Sequence, residues 1–107
     1  MIYELRVYHC LRARLPALLE RFNTITCRLF EKHGIEQVGF WTVEDETASD
    51  LVYMLKWNSV AESEEKWASF RVDPEWVEAR TKQTEADRMI ASITARMLTP
   101  TAFSALR

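Results

Sequence analysis

The sequence predicts an α+β fold in the order strand, helix, strand, strand, helix, strand, and three observations carry that expectation. Side chains alternate in character over residues 1–10, MIYELRVYHC, the period of two that a strand imposes. Apolar residues then recur at helical spacing from Leu15 to Phe30, in a stripe covering roughly one third of the circumference. After residue 50 an apolar strand-like run, a capped helix and a closing strand repeat the pattern.

Each element has its own reason. In the first strand Tyr3, Leu5 and Val7 point one way and Glu4, Arg6 and Tyr8 the other. The apolar trio suits packing against helices, so the polar trio is expected on the opposite face. The first helix buries Leu15, Leu18, Leu19, Phe22, Ile25, Leu29 and Phe30, while Arg14, Glu20, Arg21, Thr24, Arg28, Glu31 and Lys32 fill the polar side. Pro16 suits its first turn and Gly34 the left-handed residue that ends it. Ile35–Glu44 is the second strand, residues 44–50 form a polar hairpin loop, and Leu51–Trp57 is a central strand apolar on nearly both faces. Ser59 and Glu62 make a capping box for the second helix, whose stripe runs through Val60, Trp67 and Phe70. Asp73-Pro74 restarts it as an N-cap followed by a proline at the first helical position. That second piece carries Trp76, Val77, Ala79 and Ala86 to about Arg88. Ile90–Leu98 is the last strand and Pro100 ends it.

Two split βαβ halves give the ferredoxin-like pattern, a four-stranded antiparallel sheet with both helices on one face. The chain reads as one domain over residues 1–107. The helix-free face is expected to present Tyr8, Trp41, Tyr53, Leu55 and Trp57. Burying such side chains is worth about 2 kcal/mol each, so a two-fold partner copy should cover them, giving a homodimeric α+β barrel.

Composition narrows the function classes. The formal net charge is −2 with no block of one sign, which argues against nucleic acid as a partner. No apolar run reaches a membrane span, and the opening residues read as a strand and not as a leader, so a cytoplasmic protein is expected. Cys10, Cys27, His9 and His33 lack zinc-ligand spacing, so no metal site is expected and the cysteines read as free thiols. There is no Gly-rich phosphate loop, dinucleotide fingerprint or Ser-His-Asp pattern, and no cofactor is expected.

Glu4, Arg6 and Tyr8 form the most suggestive constellation. An acid, a fixed cation and a phenol on one side of one strand, with Trp41, Tyr53 and Trp57 as aromatic walls, could orient a carboxylate or phenolic ligand. A cross-strand ion pair without a ligand explains the Glu–Arg pair equally well. His9 faces opposite to Tyr8 and reads as a satisfied histidine, and His33 as a cation at a helix C-terminus. Cys27 falls at the polar edge of the first helix and is not read as a nucleophile. Trp67, Phe70 and Trp76 are spaced as packing residues. Catalytic residues stay unassigned.

The segments Ile2-Tyr3-Glu4-Leu5-Arg6, Leu15-Pro16, Glu31-Lys32-His33-Gly34, Val38-Gly39-Phe40-Trp41-Thr42, Ser59-Val60-Ala61-Glu62, Asp73-Pro74-Glu75-Trp76 and Pro100-Thr101-Ala102-Phe103-Ser104 follow one another along nearly the whole chain. In that order they resemble the NIPSNAP family. It departs at Arg12-Ala13-Arg14, where the family commonly has Pro-Gly, and at Asp45-Glu46-Thr47, where a glycine is frequent. The resemblance implies a dimeric α+β barrel and carries over no catalytic residue. The expected function is a homodimer that binds a small, partly aromatic or acyl ligand between its sheets. The alternatives are a cofactor-independent monooxygenase, a haem-degrading enzyme or a small lyase or isomerase, and a non-catalytic interaction module.

Overall fold

The computed structural model of the protein describes residues 1–83 and 88–107. Strand β1 (Ile2–Cys10) leads into a helix built from three segments: α1 (Leu15–Arg21), a π-helical turn (Phe22–Thr26) and α2 (Cys27–Lys32). Strands β2 (Glu36–Glu44) and β3 (Ser49–Trp57), helices α3 (Val60–Arg71) and α4 (Pro74–Thr81), and strand β4 (Ile90–Leu98) follow. The strands form a four-stranded antiparallel sheet in the order β2-β3-β1-β4, the ferredoxin-like topology expected from the element order. Helix α4 stops at Thr81, Arg88 is not helical, and Ala86 lies outside the described residues.

The caps act where their residue types predict. The Ser59 hydroxyl accepts from the Glu62 N–H at 3.1 Å, and the Glu62 carboxylate accepts from the Asn58 N–H at 3.1 Å. Asp73 accepts from the Glu75 N–H at 2.9 Å ahead of Pro74. Gly34 takes φ +69° at the end of α2. Ala13 takes φ 65° in the loop where Pro-Gly is common in the resembling family; a non-glycine residue held there costs about 1 kcal/mol or more.

The sequence left both faces of the sheet apolar, and the structure reverses the expected assignment. Leu51, Tyr53, Leu55 and Trp57 of β3 are fully buried in one core with Leu15, Leu18, Phe22, Leu29, Phe30, Trp67 and Phe70 from the helices. Glu4 pairs with Leu55, Arg6 with Tyr53 and Tyr8 with Leu51, so the polar trio faces the helices. Tyr8, Tyr53, Leu55 and Trp57 therefore belong to the helix-covered face, and of the five expected on the bare face only Trp41 is there. Alternation separates two faces without saying which is covered. The choice is made by Trp57 and Trp67, whose indole N–H groups need a buried acceptor that Glu4 supplies.

The helix-free face instead carries Leu5, Val7, Val52, Met54, Trp41, Val43 and Leu98, as the strand register requires. Trp41 is 52% exposed and lies over Gly39, where an added Cβ would come within 2.8 Å of the indole. The ring covers backbone that any side chain would displace.

The end of α2 is tied to the α3–α4 junction by charge. Asp73 is 4% exposed and its carboxylate meets Lys32 Nζ and His33 Nε2, each at 2.8 Å. His33 Nδ1 meets Ser69 Oγ at 2.9 Å, so this histidine links α2 to both later helices in addition to sitting at a helix end. Hydrogen bonds from Lys32, from His33 and from the Glu75 N–H hold the Asp73 carboxyl well below the usual carboxylate range. A depressed carboxylate stabilises the fold fully above its unfolded value, about 3.9, and loses that contribution as pH falls through the folded value. The stability gap between the native chain and Asp73→Asn should therefore stay constant above about pH 5 and close below about pH 4. Urea midpoints across that range measure it, and a gap that stays constant into strong acid would contradict the assignment.

Candidate functional site

Glu4 is the hub of the site, and its burial follows from its partners. One carboxylate oxygen accepts from Trp57 Nε1 at 3.0 Å and Trp67 Nε1 at 2.9 Å; the other accepts from Arg6 Nη1 at 2.8 Å. Arg6 is held in turn: Nε donates to the Tyr53 hydroxyl at 2.8 Å, Nη2 to the Tyr8 hydroxyl at 3.3 Å, and Cζ lies 4.7 Å from the centre of the Trp67 ring. Burial of the guanidinium works against its charge. The phenols of Tyr53 and Tyr8 and the Glu4 carboxylate outweigh that effect and hold the group above the ordinary arginine value. Tyr53 is wholly buried, and burial together with Tyr8 raises its phenol well above the ordinary range, against the opposing pull of Arg6.

The relay has a direction. Tyr53 donates to the Tyr8 oxygen at 3.1 Å, so that oxygen accepts from both Arg6 and Tyr53 and leaves its own proton to offer. Tyr8 lines a cavity of about 300 Å³, together with Arg6, Thr26, Phe30, Trp67, Phe70, Trp76, Ile90 and Ile93. The rest of the wall is cationic or amide: Arg21, Arg71, Arg80 and Gln83. The cavity therefore lies between the sheet and the helices. Arg21 donates to Gln83 Oε1 at 3.1 Å and to the Ala79 carbonyl at 3.3 Å, which joins the first helix to α4. Burial, and then Arg80, lower the Arg21 guanidinium below its ordinary value.

The π-helical turn places one further lining group. The Cys27 N–H bonds to the Phe22 carbonyl five residues back, a local widening often found at functional sites. Thr26 lies on this turn, 2% exposed, and its hydroxyl has no hydrogen-bond partner among the described residues.

Of the six residues the sequence offered as ligand-binding, the structure gathers Glu4, Arg6, Tyr8, Tyr53 and Trp57 into one network, and Arg6 and Tyr8 reach the cavity. Trp41 stands apart on the other face. Sequence reasoning missed Thr26, Arg71 and Arg80, and assigned Arg21 to the polar side of its helix. The two sides of the Asp73-Pro74 break are not in helical phase, so no period connects Arg71 with Arg80. His9 is held by Asp50 at 3.1 Å. Cys10 and Cys27 are free thiols; burial raises both, with Asp50 adding to it at Cys10 and Glu31 at Cys27, so neither is poised as a thiolate. Among the described residues no group of His, Cys, Asp or Glu side chains is arranged to hold a metal, and no helix is long and apolar enough to cross a membrane.

Comparison with known proteins extends this description. A NIPSNAP family protein of unknown function from Agrobacterium tumefaciens is 25% identical, with 100% of this chain and 94% of that one covered and a TM-score of 0.86. A dimeric ferredoxin-like protein from an uncultured marine organism is 9% identical, with 96% of each chain covered and a TM-score of 0.68. A putative antibiotic biosynthesis monooxygenase from Nitrosomonas europaea is 12% identical, covering 94% of this chain and 98% of that one, with a TM-score of 0.63. The last two likenesses establish the fold alone. No curated protein matches. The sequence model of the NIPSNAP family matches residues 3–105, so from its first strand to the segment beyond its last the chain belongs to the NIPSNAP family.

Proposed function

We propose that the protein is a homodimer that binds a small, partly aromatic or acyl molecule, held within each protomer between the sheet and the helices. The cavity carries the reading. At about 300 Å³ it sits at the lower end of the roughly 300–1,000 Å³ typical of small-molecule sites, room for one ring with a short chain. Phe30, Trp67, Phe70 and Trp76 give it apolar walls, and Arg6 and Tyr8 give it fixed polar groups. Such a space favours a binding role over a module filled by its own side chains. The lining offers cations, indoles and a phenol, groups suited to orienting a ligand, and this supports binding over the catalytic alternative.

The dimer is supported by the helix-free face, where Leu5, Val7, Val52 and Met54 are central and Trp41 and Val43 lie exposed. A second copy applied by a two-fold axis would cover it. The free thiols suit a reducing, cytoplasmic setting.

Ile93 tests the cavity directly. It lines the space from β4 and is 48% exposed, so Ile93→Trp should fill the cavity without disturbing the core. Calorimetric titration with phenylacetate, hexanoate and indole is expected to show binding to the native chain and none to Ile93→Trp, with the melting temperature preserved. Equal binding by both chains, or by neither, would overturn the reading.

A further inference from the structure

Four arginines face one cavity, Arg6, Arg21, Arg71 and Arg80, and they are not equivalent. Arg6 is neutralised by Glu4 at 2.8 Å. Among the described residues Arg21 is hydrogen-bonded only to neutral acceptors, the Gln83 side chain and the Ala79 carbonyl. Arg71 lies with Cζ 5.5 Å from the centre of the Trp67 ring. None of Arg21, Arg71 and Arg80 is in an ion pair among the described residues. No carboxylate is among the described lining residues. Gathering like charges around an apolar space is unfavourable, and an anion entering it removes the conflict.

Two further groups ask for a polar atom of the ligand. Thr26 lines the cavity, and its buried hydroxyl has no hydrogen-bond partner among the described residues; a buried hydroxyl in that state costs stability until something bonds to it. The Tyr8 oxygen already accepts from Arg6 and Tyr53, which leaves its proton free to donate. These side chains come from four parts of the chain, the β1 strand, the end of α1, the π-helical turn and the α3–α4 pair, and converge on one space.

We propose that the cavity is an oxyanion site: its ligand carries a carboxylate or phosphate, held by the Arg21, Arg71 and Arg80 guanidiniums and hydrogen-bonded by Thr26, on a small aromatic or acyl body packed against Trp67 and Trp76. Guanidinium forks bind both oxyanions in two-point fashion. The inference rests on the binding function proposed above and adds the sign and chemistry of the ligand.

The experiment is calorimetric titration with phenylacetate, phenyl phosphate and the neutral isostere phenylacetamide, on the native chain, an Arg71→Gln/Arg80→Gln double variant and Thr26→Val. One of the two anions is expected to bind about tenfold to a hundredfold more tightly than the amide, and which of them wins identifies the oxyanion. That preference should vanish in the double variant, whose exposed substitutions leave the melting temperature unchanged. Thr26→Val is expected to melt higher than the native chain and to bind the anion more weakly, a combination that a purely structural threonine would not produce. If the amide binds as tightly as both anions while Ile93→Trp abolishes all three, the binding function stands and the oxyanion site is refuted. Unchanged anion affinity in either variant refutes it too, and absence of all binding up to about 10 mM, weaker than any Kd of use here, overturns both readings together.

Discussion

Glu4→Leu is expected to destabilise the fold by about 3–5 kcal/mol, because it leaves the Arg6 cation unpaired where water has little access. The Arg6 side chain is 13% exposed and that of Glu4 6%, so little solvent takes the place of the lost partner. The same change strips the acceptor from two indole N–H groups, Trp57 and Trp67. Since a domain of this size is stable by only about 5–15 kcal/mol, the variant should sit near its unfolding midpoint. Removing the stranded charge as well should restore part of the loss, because an apolar replacement for a buried ion pair is often nearly neutral. Glu4→Leu/Arg6→Met is therefore expected to be more stable than Glu4→Leu alone, while Arg28→Ala, which loses an exposed pair with Glu75, should change stability little. Urea denaturation measures all three; a double variant less stable than the Glu4→Leu single would contradict the network.

The second large effect is on assembly. Val52 lies at the middle of the helix-free face, paired with Val7 on one side and Trp41 on the other. A charge there, Val52→Glu, would be buried and unpaired in the proposed interface but solvated in a lone chain. The expected result by sedimentation is a dimer for the native chain and a folded monomer for Val52→Glu. Trp57→Glu should behave differently, since Trp57 is 1% exposed within the core and a charge there unfolds the chain. A native chain that sediments as a folded monomer at micromolar concentration would contradict the interface.

Much of the fold was legible because its signals are local. The two caps, the left-handed Gly34 and the strands at Ile35–Glu44, Leu51–Trp57 and Ile90–Leu98 follow from residue type and period, and the structure places them within two residues of expectation. The sheet's covered face was not legible, because β1 offers an apolar trio and a polar trio and the usual rule sends the apolar one inward. Here the inward trio is polar, and what reverses the rule is the pair of indoles that bond to Glu4, one of them on a helix more than sixty residues away. The site itself was half legible. Glu4, Arg6 and Tyr8 announce themselves by sharing a strand face, whereas Thr26, Arg71 and Arg80 come to the cavity through a π-helical turn and a break between two helices, neither of which leaves a period to read.

Native mass spectrometry of the protein as purified tests the cavity most directly. The expected result is a dimer of two 12.6 kDa chains carrying one small anion in each protomer, retained from the cell or restored by phenylacetate or phenyl phosphate, and lost in Ile93→Trp. A native chain of bare mass that takes up neither anion, or a ligand that Ile93→Trp retains as well as the native chain does, would contradict it.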